Sequence, residues 1–195
     1  MQDSTETMSN EEENTESTAE EKKYLTFWID GELFGIPISD VVQIISMQEI
    51  TALPDFPDYA KGVINLRGFI IPVIDMRLRL KKPEAKYDDS TCIIVANIQD
   101  TYFGFIVDTV DEVTDIGDDS ISPAPKVAHG NVNRYLTGIG QLEGKVVLML
   151  DLSRILSDDE FEQVTQTAEA AEAEGKIQAA GEEGEIQAAD EDEKV

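Results

Sequence analysis

Between Tyr24 and Leu156 the apolar residues come in short runs, alternating or continuous over four to eight positions, with Gly, Asp or Asn between them. A period of two, or a short unbroken run bounded by turn residues, is what a half-buried or fully buried strand requires. The runs include LTFWI at 25–29, LFGIPI at 33–38, FIIPVI at 69–74, CIIVA at 92–96, YFGFIV at 102–107 and KVVLML at 145–150. Helical periodicity is confined to short pieces. It predicts helices over Ser39 to Ile45 after a serine cap, Met76 to Leu80 after Asp75, and Leu152 to Leu156. The fold class expected from this pattern is all-β with a few short helices.

The runs also repeat. Tyr24 to Ile44 aligns with Ile93 to Val113, placing Phe34-Gly35 on Phe103-Gly104 and Ile38 on Val107. Gly62 to Leu80 aligns with Gly138 to Leu156, placing Leu66 on Leu142, Gly68 on Gly144, Ile74 on Leu150 and Asp75 on Asp151. Any all-β chain can show hairpins ending in Gly and Asp, but two units recurring in the same order point to two similar β subdomains. Each would be too small for a generous core, so a third apolar interface between them is expected.

Composition sets the limits of the fold. The chain has 195 residues, 41% of them hydrophobic, and a formal net charge of −26. From Met1 to Glu21 there are eight acidic residues and no basic ones, and from Phe161 to Val195 eleven acidic and two basic, so most of the charge lies near the ends. Such segments bury too little apolar surface to offset an ordering cost of about 1–2 kcal/mol per residue. The expected organisation is a disordered acidic tail over 1–22, a folded domain over 23–161 and a second disordered acidic tail over 162–195. Within the last tail EGKIQAA at 174–180 recurs as EGEIQAA at 183–189, read as low-complexity drift or as a short partner-binding helix. The acidity argues against nucleic acid or anionic lipid as a partner. A single cysteine, Cys92, leaves no internal disulfide framework, and no apolar run reaches the roughly 20 residues of a membrane span; a cytoplasmic setting without direct membrane insertion is expected.

No motif for bond-making chemistry stands out. Asp75 and Asp151 hold equivalent repeat positions, but Met76-Arg77 and Leu152-Ser153 follow them where an aspartic dyad needs small hydroxyl and glycine residues, so helix caps are favoured over an aspartate-dependent hydrolase. The acidic run from Asp108 to Asp119 lacks the pattern of an EF-hand, and His129, the only histidine, has no nucleophile placed beside it by any motif. No catalytic, metal-binding or cofactor-binding residue is assigned. The stretch KGVINLRGFIIPVIDMRLRL at 61–80 instead reads as part of a binding module, with Gly62 and Gly68 flanking a turn that mounts Arg67. Arg67 suits either an ion pair joining the subdomains or a bidentate contact to a partner. Arg77, Arg79, Lys81, Lys82 and Lys86 either complement a helix dipole or form a docking patch for an acidic surface.

GVINLRGFIIPVIDMRLRL, with FGIPISDVVQII upstream and YFGFIVDTVDEV and YLTGIGQLEGKVVLMLDLSRIL downstream, resembles the CheW family of bacterial chemotaxis coupling proteins over about Lys23 to Phe161. The resemblance implies two SH3-like β-barrel subdomains packed around a shared hydrophobic interface. It implies a non-enzymatic adaptor linking the cytoplasmic signalling tip of methyl-accepting chemoreceptors to the regulatory domain of a CheA-type histidine kinase, in the cytoplasm at membrane-associated receptor arrays. The same module in another chemosensory pathway, such as twitching motility, is the alternative. Carried over position by position, Val42, Val113 and Arg67 match residues of the receptor-binding region and Gly62 matches a glycine implicated in kinase association. Where many members carry a glutamate able to pair with the arginine, this chain has Ile44, so Arg67 is expected to turn to Glu49, another carboxylate or a receptor group.

Overall fold

The computed structural model describes residues 22–124 and 134–173. The segments 1–21, 125–133 (with His129) and 174–195, and the expectations attached to them, lie outside the described residues.

In the first half of the chain lie β1 (Lys22–Ile29), β2 (Glu32–Pro37), β3 (Val41–Ser46), β4 (Ala60–Leu66), β5 (Phe69–Asp75) and the short helix α1 (Met76–Arg79). The second half follows with β6 (Cys92–Ile98), β7 (Thr101–Val107), β8 (Thr109–Ile116), β9 (Ile121–Pro123), β10 (Leu136–Leu142), β11 (Lys145–Leu150) and the helix α2 (Asp158–Ala173). Four two-residue hairpins join β1–β2, β4–β5, β6–β7 and β10–β11. Their central pairs, Asp30-Gly31, Arg67-Gly68, Gln99-Asp100 and Glu143-Gly144, all have positive φ, the geometry whose twist matches that of the flanking strands.

The strands form a six-stranded sheet ordered β8-β1-β2-β11-β10-β9 and a five-stranded sheet ordered β3-β6-β7-β5-β4. The fold is thus all-β, two SH3-like subdomains, and the halves of the sequence exchange strands. The β1–β2 hairpin leaves the first half to join the six-stranded sheet, while β6–β7 leaves the second half to join the five-stranded one. Each exchange is sealed by one parallel pairing, Leu33, Phe34 and Gly35 of β2 against Val147, Leu148 and Met149 of β11, and Gly104, Phe105 and Ile106 of β7 against Val73, Ile74 and Asp75 of β5. The repeated Phe-Gly pair lies at these crossings. A Cβ at Gly35 would come within 3.0 Å of Val147, and one at Gly104 within 2.9 Å of Ile93. Glycine lets the strands and their neighbours close there.

The apolar residues divide three ways, as small duplicated barrels require. Ile64, Ile71, Val73, Ile93, Val95 and Ile106 fill the five-stranded subdomain; Tyr24, Leu33, Ile116, Val147 and Met149 fill the six-stranded one. The largest cluster joins the two sheets, with Leu25, Phe27, Phe34 and Ile36 from one and Ile94, Phe103, Phe105 and Val107 from the other.

Two sequence expectations need correction. Ser39 to Ile45 is not a helix: one 3-10 turn at Ile38–Asp40 leads into β3, because the β-branched run in VVQII favours an extended edge strand. The fold also continues beyond residue 161. Ser157 and Glu160 form a capping box, Glu160 accepting from the Ser157 N–H (2.8 Å), and α2 runs on to Ala173 with Val164, Ala168 and Ala171 buried. Ala168 and Ala171 rest on Val63, and the Phe161 ring packs tilted against Phe103 with centroids 5.2 Å apart. By contrast, Asp75 and Asp151 cap their helical turns as expected, accepting from the N–H groups of Leu78 and Ser153.

Candidate functional site

The β4–β5 hairpin, the edge strand β3 and the start of β7 enclose an open groove of about 190 Å³, lined by Val42, Leu66, Arg67, Phe69, Val95 and Tyr102 among others. Its walls follow from period-two geometry at a sheet edge. Along β3, Val42 and Ile44 face outward while Ile45 packs inward, and a bulge between Val41 and Gln43 sets Val42 off from its neighbours. Val42 is 51% exposed and Phe69 63%, large values for apolar side chains. Phe69 and Tyr102 meet edge to face at 6.3 Å and give one wall a rigid aromatic surface.

Arg67 stands at the rim on the first position of its hairpin turn (φ 54°), exposed, and the Gly68 N–H is tied to Asn65 Oδ1 at 3.0 Å. The turn is therefore the two residues Arg67-Gly68; Gly62 belongs to a strand bulge five positions earlier. Among the described residues Arg67 forms no ion pair, with Glu49 or any other carboxylate. Ile44 thus leaves a cation mounted beside an apolar trough without an internal counter-charge.

Val113 does not share this groove. It lies on β8, the edge strand of the other sheet, opposite Leu25 and 50% exposed. In the sequence repeat it is the counterpart of Ile44, so each sheet presents one exposed branched residue at the same place on its edge strand. The bulge in β8 is plugged by the buried Thr26, whose hydroxyl donates to the Glu112 carbonyl (3.0 Å) and accepts from its N–H (3.2 Å).

Gly62 is buried and cannot touch a partner directly. Its φ is 140°, and a Cβ there would sit 2.2 Å from the Thr51 carbonyl oxygen. Thr51 and Val63 exchange backbone hydrogen bonds of 2.9 Å in each direction, so Gly62 is what allows the 47–58 segment to lie on β4.

Three of the five residues of the basic cluster are engaged by the fold, while Lys81 and Lys86 are exposed. Arg77 binds Asp108 through two nitrogens, at 2.6 and 2.7 Å, and reaches Asp30 at 3.1 Å; Lys82 pairs with Glu32 at 2.6 Å. Arg79 is buried between the rings of Tyr59 and Tyr135, 4.3 and 5.2 Å from their centroids, donates to the Ile155 carbonyl, and makes a bidentate pair with Glu160 (3.0 and 2.7 Å). Tyr59 and Tyr135 are counterparts in the repeat, as are Arg79 and Ile155. The guanidinium therefore sits where the two copies of the second unit meet and fastens the base of α2 there. Burial alone would raise the Glu160 carboxyl, but the Ser157 N–H and Arg79 outweigh it and bring its pKa down to about 2.

The carboxylates and thiol are likewise structural. Asp75 is buried and accepts from the Tyr87 hydroxyl (2.8 Å), whose pKa is pushed upward by burial and by that carboxylate; burial also raises the half-buried Cys92 thiol. Asp151 holds Ser153 and Arg154. Among the described residues, no helix is long and apolar enough to cross a membrane.

Sequence reasoning missed Phe69 and Tyr102 as walls of the groove. Their signal was present: Phe69 directly follows one hairpin turn, Tyr102 stands two positions after another, and each is an aromatic residue at the start of its strand.

A CheW-like domain matches residues 23–160 of the chain. The chain is 34% identical over 149 residues to the chemotaxis protein CheW of Klebsiella aerogenes, covering 76% of this chain and 90% of that one. With the chemotaxis protein CheW of Bacillus subtilis it shares 32% identity over 138 residues, 71% of this chain and 88% of the other. The crystal structure of the scaffolding protein TtCheW from Thermoanaerobacter tengcongensis superimposes with a TM-score of 0.67 at 33% identity, over 72% of this chain and 95% of that one. Strand exchange, paired barrels and sequence agree: the chain belongs to the CheW family of chemotaxis adaptors.

Proposed function

We propose that this protein is a non-enzymatic adaptor which couples chemoreceptors to a CheA-type histidine kinase, and that the groove beneath Arg67 takes the receptor. The observation carrying this reading is an exposed apolar trough on a sheet edge with a single uncompensated cation at its rim. Such a surface fits an amphipathic helix: apolar side chains enter between Val42, Phe69 and Tyr102 while a carboxylate of the helical signalling tip pairs with Arg67. Val113, on the edge strand of the other sheet, supplies a second apolar contact of the same character. The kinase regulatory domain docks on the segment 47–58, which Gly62 holds in place without contacting the partner. Two partners on separate faces suit an adaptor, because a standard interface needs only roughly 800 Å² per side. Receptor state then reaches the kinase through differences in how the adaptor is held. Recruitment to the membrane is through the receptor.

The test is co-purification of the full chain with a CheA-type regulatory domain and with a receptor signalling-tip fragment, comparing wild type with Val42→Asp. Val42 is half exposed, so the change should alter stability by no more than about 0.5 kcal/mol. Receptor binding is expected to weaken at least about tenfold, or roughly 1.4 kcal/mol, with kinase binding retained. Loss of both, or failure of the wild type to bind either, overturns the assignment.

A further inference from the structure

The helix α2 runs alongside the hairpin that carries Arg67. A second hollow, on the other side of Phe69, is lined by Gly68, Phe69, Ile70, Thr165, Glu169 and Glu172, so the last turn of α2 lies beside the hairpin that carries Arg67. The described part of α2 runs to Ala173, one residue after Glu172. Residues 174–195, with eight acidic and two basic side chains, therefore begin next to the one unpaired cation of the groove.

Two stretches of that segment have the composition the groove accepts. EGKIQAA and EGEIQAA each place one branched apolar residue, Ile177 or Ile186, three positions after a glutamate, Glu174 or Glu183, with small residues following. At no more than about 3.3 Å per residue, Ile177 lies within about 13 Å of Ala173 and Ile186 within about 43 Å, so the second copy has the longer reach. From the receptor-binding reading of the groove, we propose that the 174–189 segment docks there, isoleucine between Val42, Leu66, Phe69 and Tyr102 and glutamate on Arg67, and competes with the receptor helix. Being attached, the segment faces an effective concentration in the millimolar range, so weak contacts suffice, and two copies raise the occupancy further. Acidity at this end then acts as a brake on receptor engagement, weakened by salt.

The experiment uses the full chain carrying a photoreactive benzoylphenylalanine in place of Gln43, which lines the groove. Irradiation is expected to join it to residues 174–189 of the same molecule, and Ile177→Asp with Ile186→Asp is expected to abolish that product and shift the Val42 methyl resonances. Adduct to a second copy, or to neither, overturns the proposal, as do Val42 methyls that ignore the double substitution. A receptor-tip fragment should bind the doubly substituted chain several-fold more tightly than wild type; equal affinity overturns the competition. If the intramolecular product forms but the fragment leaves the Val42 methyls of the doubly substituted chain unmoved, docking of the segment stands and the receptor reading of the groove falls.

Discussion

Single residues in this fold act through position more often than through contact with a partner. Gly62 is the clearest case: a methyl group there collides with the Thr51 backbone and also meets a φ of 140°, which L residues avoid. Gly62→Ala should cost of order 2–4 kcal/mol and displace the 47–58 segment. Thermal unfolding reads the first effect, and titration with the kinase regulatory domain reads the second. Its counterpart Gly138, on the other sheet, is crowded by the Ile121 side chain at 2.6 Å and the Ser122 carbonyl oxygen at 2.8 Å without a positive φ; Gly138→Ala should also lose stability but keep kinase affinity. If both substitutions weaken the kinase equally, the 47–58 segment is not the docking surface. Glu160 supplies a pH dependence. Its pKa is lowered in the fold from 4.5 to about 2, so its contribution is fully present above the unfolded value and disappears as pH falls from about 5 to 2. At neutral pH that contribution is of order 2–3 kcal/mol. Glu160→Gln should therefore melt well below wild type at pH 7, and the difference should close as pH approaches 2.

At the level of elements, strands were legible because a period of two survives in short runs, and the Asp75 and Asp151 caps were legible because they recur in the repeat. Two elements were not. VVQII follows a serine and an aspartate, a helix-start pattern, yet its branched side chains settle into an edge strand whose outward positions form the groove. Helix α2 was hidden by composition: Ala168 and Ala171 carry little hydrophobic signal, so Val164, Ala168 and Ala171 read as part of an acidic tail although they share one face. The capping box from Ser157 to Glu160 was the visible clue. Since α2 leans on tertiary packing rather than on its own propensity, it should respond sharply to one buried residue. Val164 is fully buried, and Val164→Ala should cost about 1–3 kcal/mol. Ser157→Ala, which removes the cap, should cost about 1 kcal/mol. Amide hydrogen exchange over residues 158–173 checks both: protection should fall there first, with the strands of the six-stranded sheet little changed.

The whole molecule poses a question that local pattern cannot answer, namely which hairpin pairs with which. A sequence repeat in the order first unit, second unit, first unit, second unit is equally compatible with two consecutive barrels and with two that trade hairpins, because strand pairing across a hundred residues leaves no mark on local periodicity. The exchange has a thermodynamic consequence. Separating the sheets would expose the large cluster that contains Phe27, Phe34, Phe103 and Phe105, whereas the clusters inside each barrel hold only six and five buried residues. Unfolding one sheet also removes strands contributed by the half of the chain that builds the other. Neither barrel has a route to independent stability, so both should unfold in one transition despite a two-subdomain shape. Trp28, the only tryptophan, reports on the six-stranded sheet, and the methyl groups of Ile93 and Ile106 report on the interior of the five-stranded one. Denaturant titrations followed by Trp28 fluorescence and by those methyl resonances should give the same midpoint and the same slope. A midpoint for Trp28 displaced from that of Ile93 would mean that the parallel pairings β2–β11 and β5–β7 do not couple the barrels, and that Val113 on the six-stranded sheet is held against the Arg67 groove of the five-stranded one by a looser connection than the strand exchange implies.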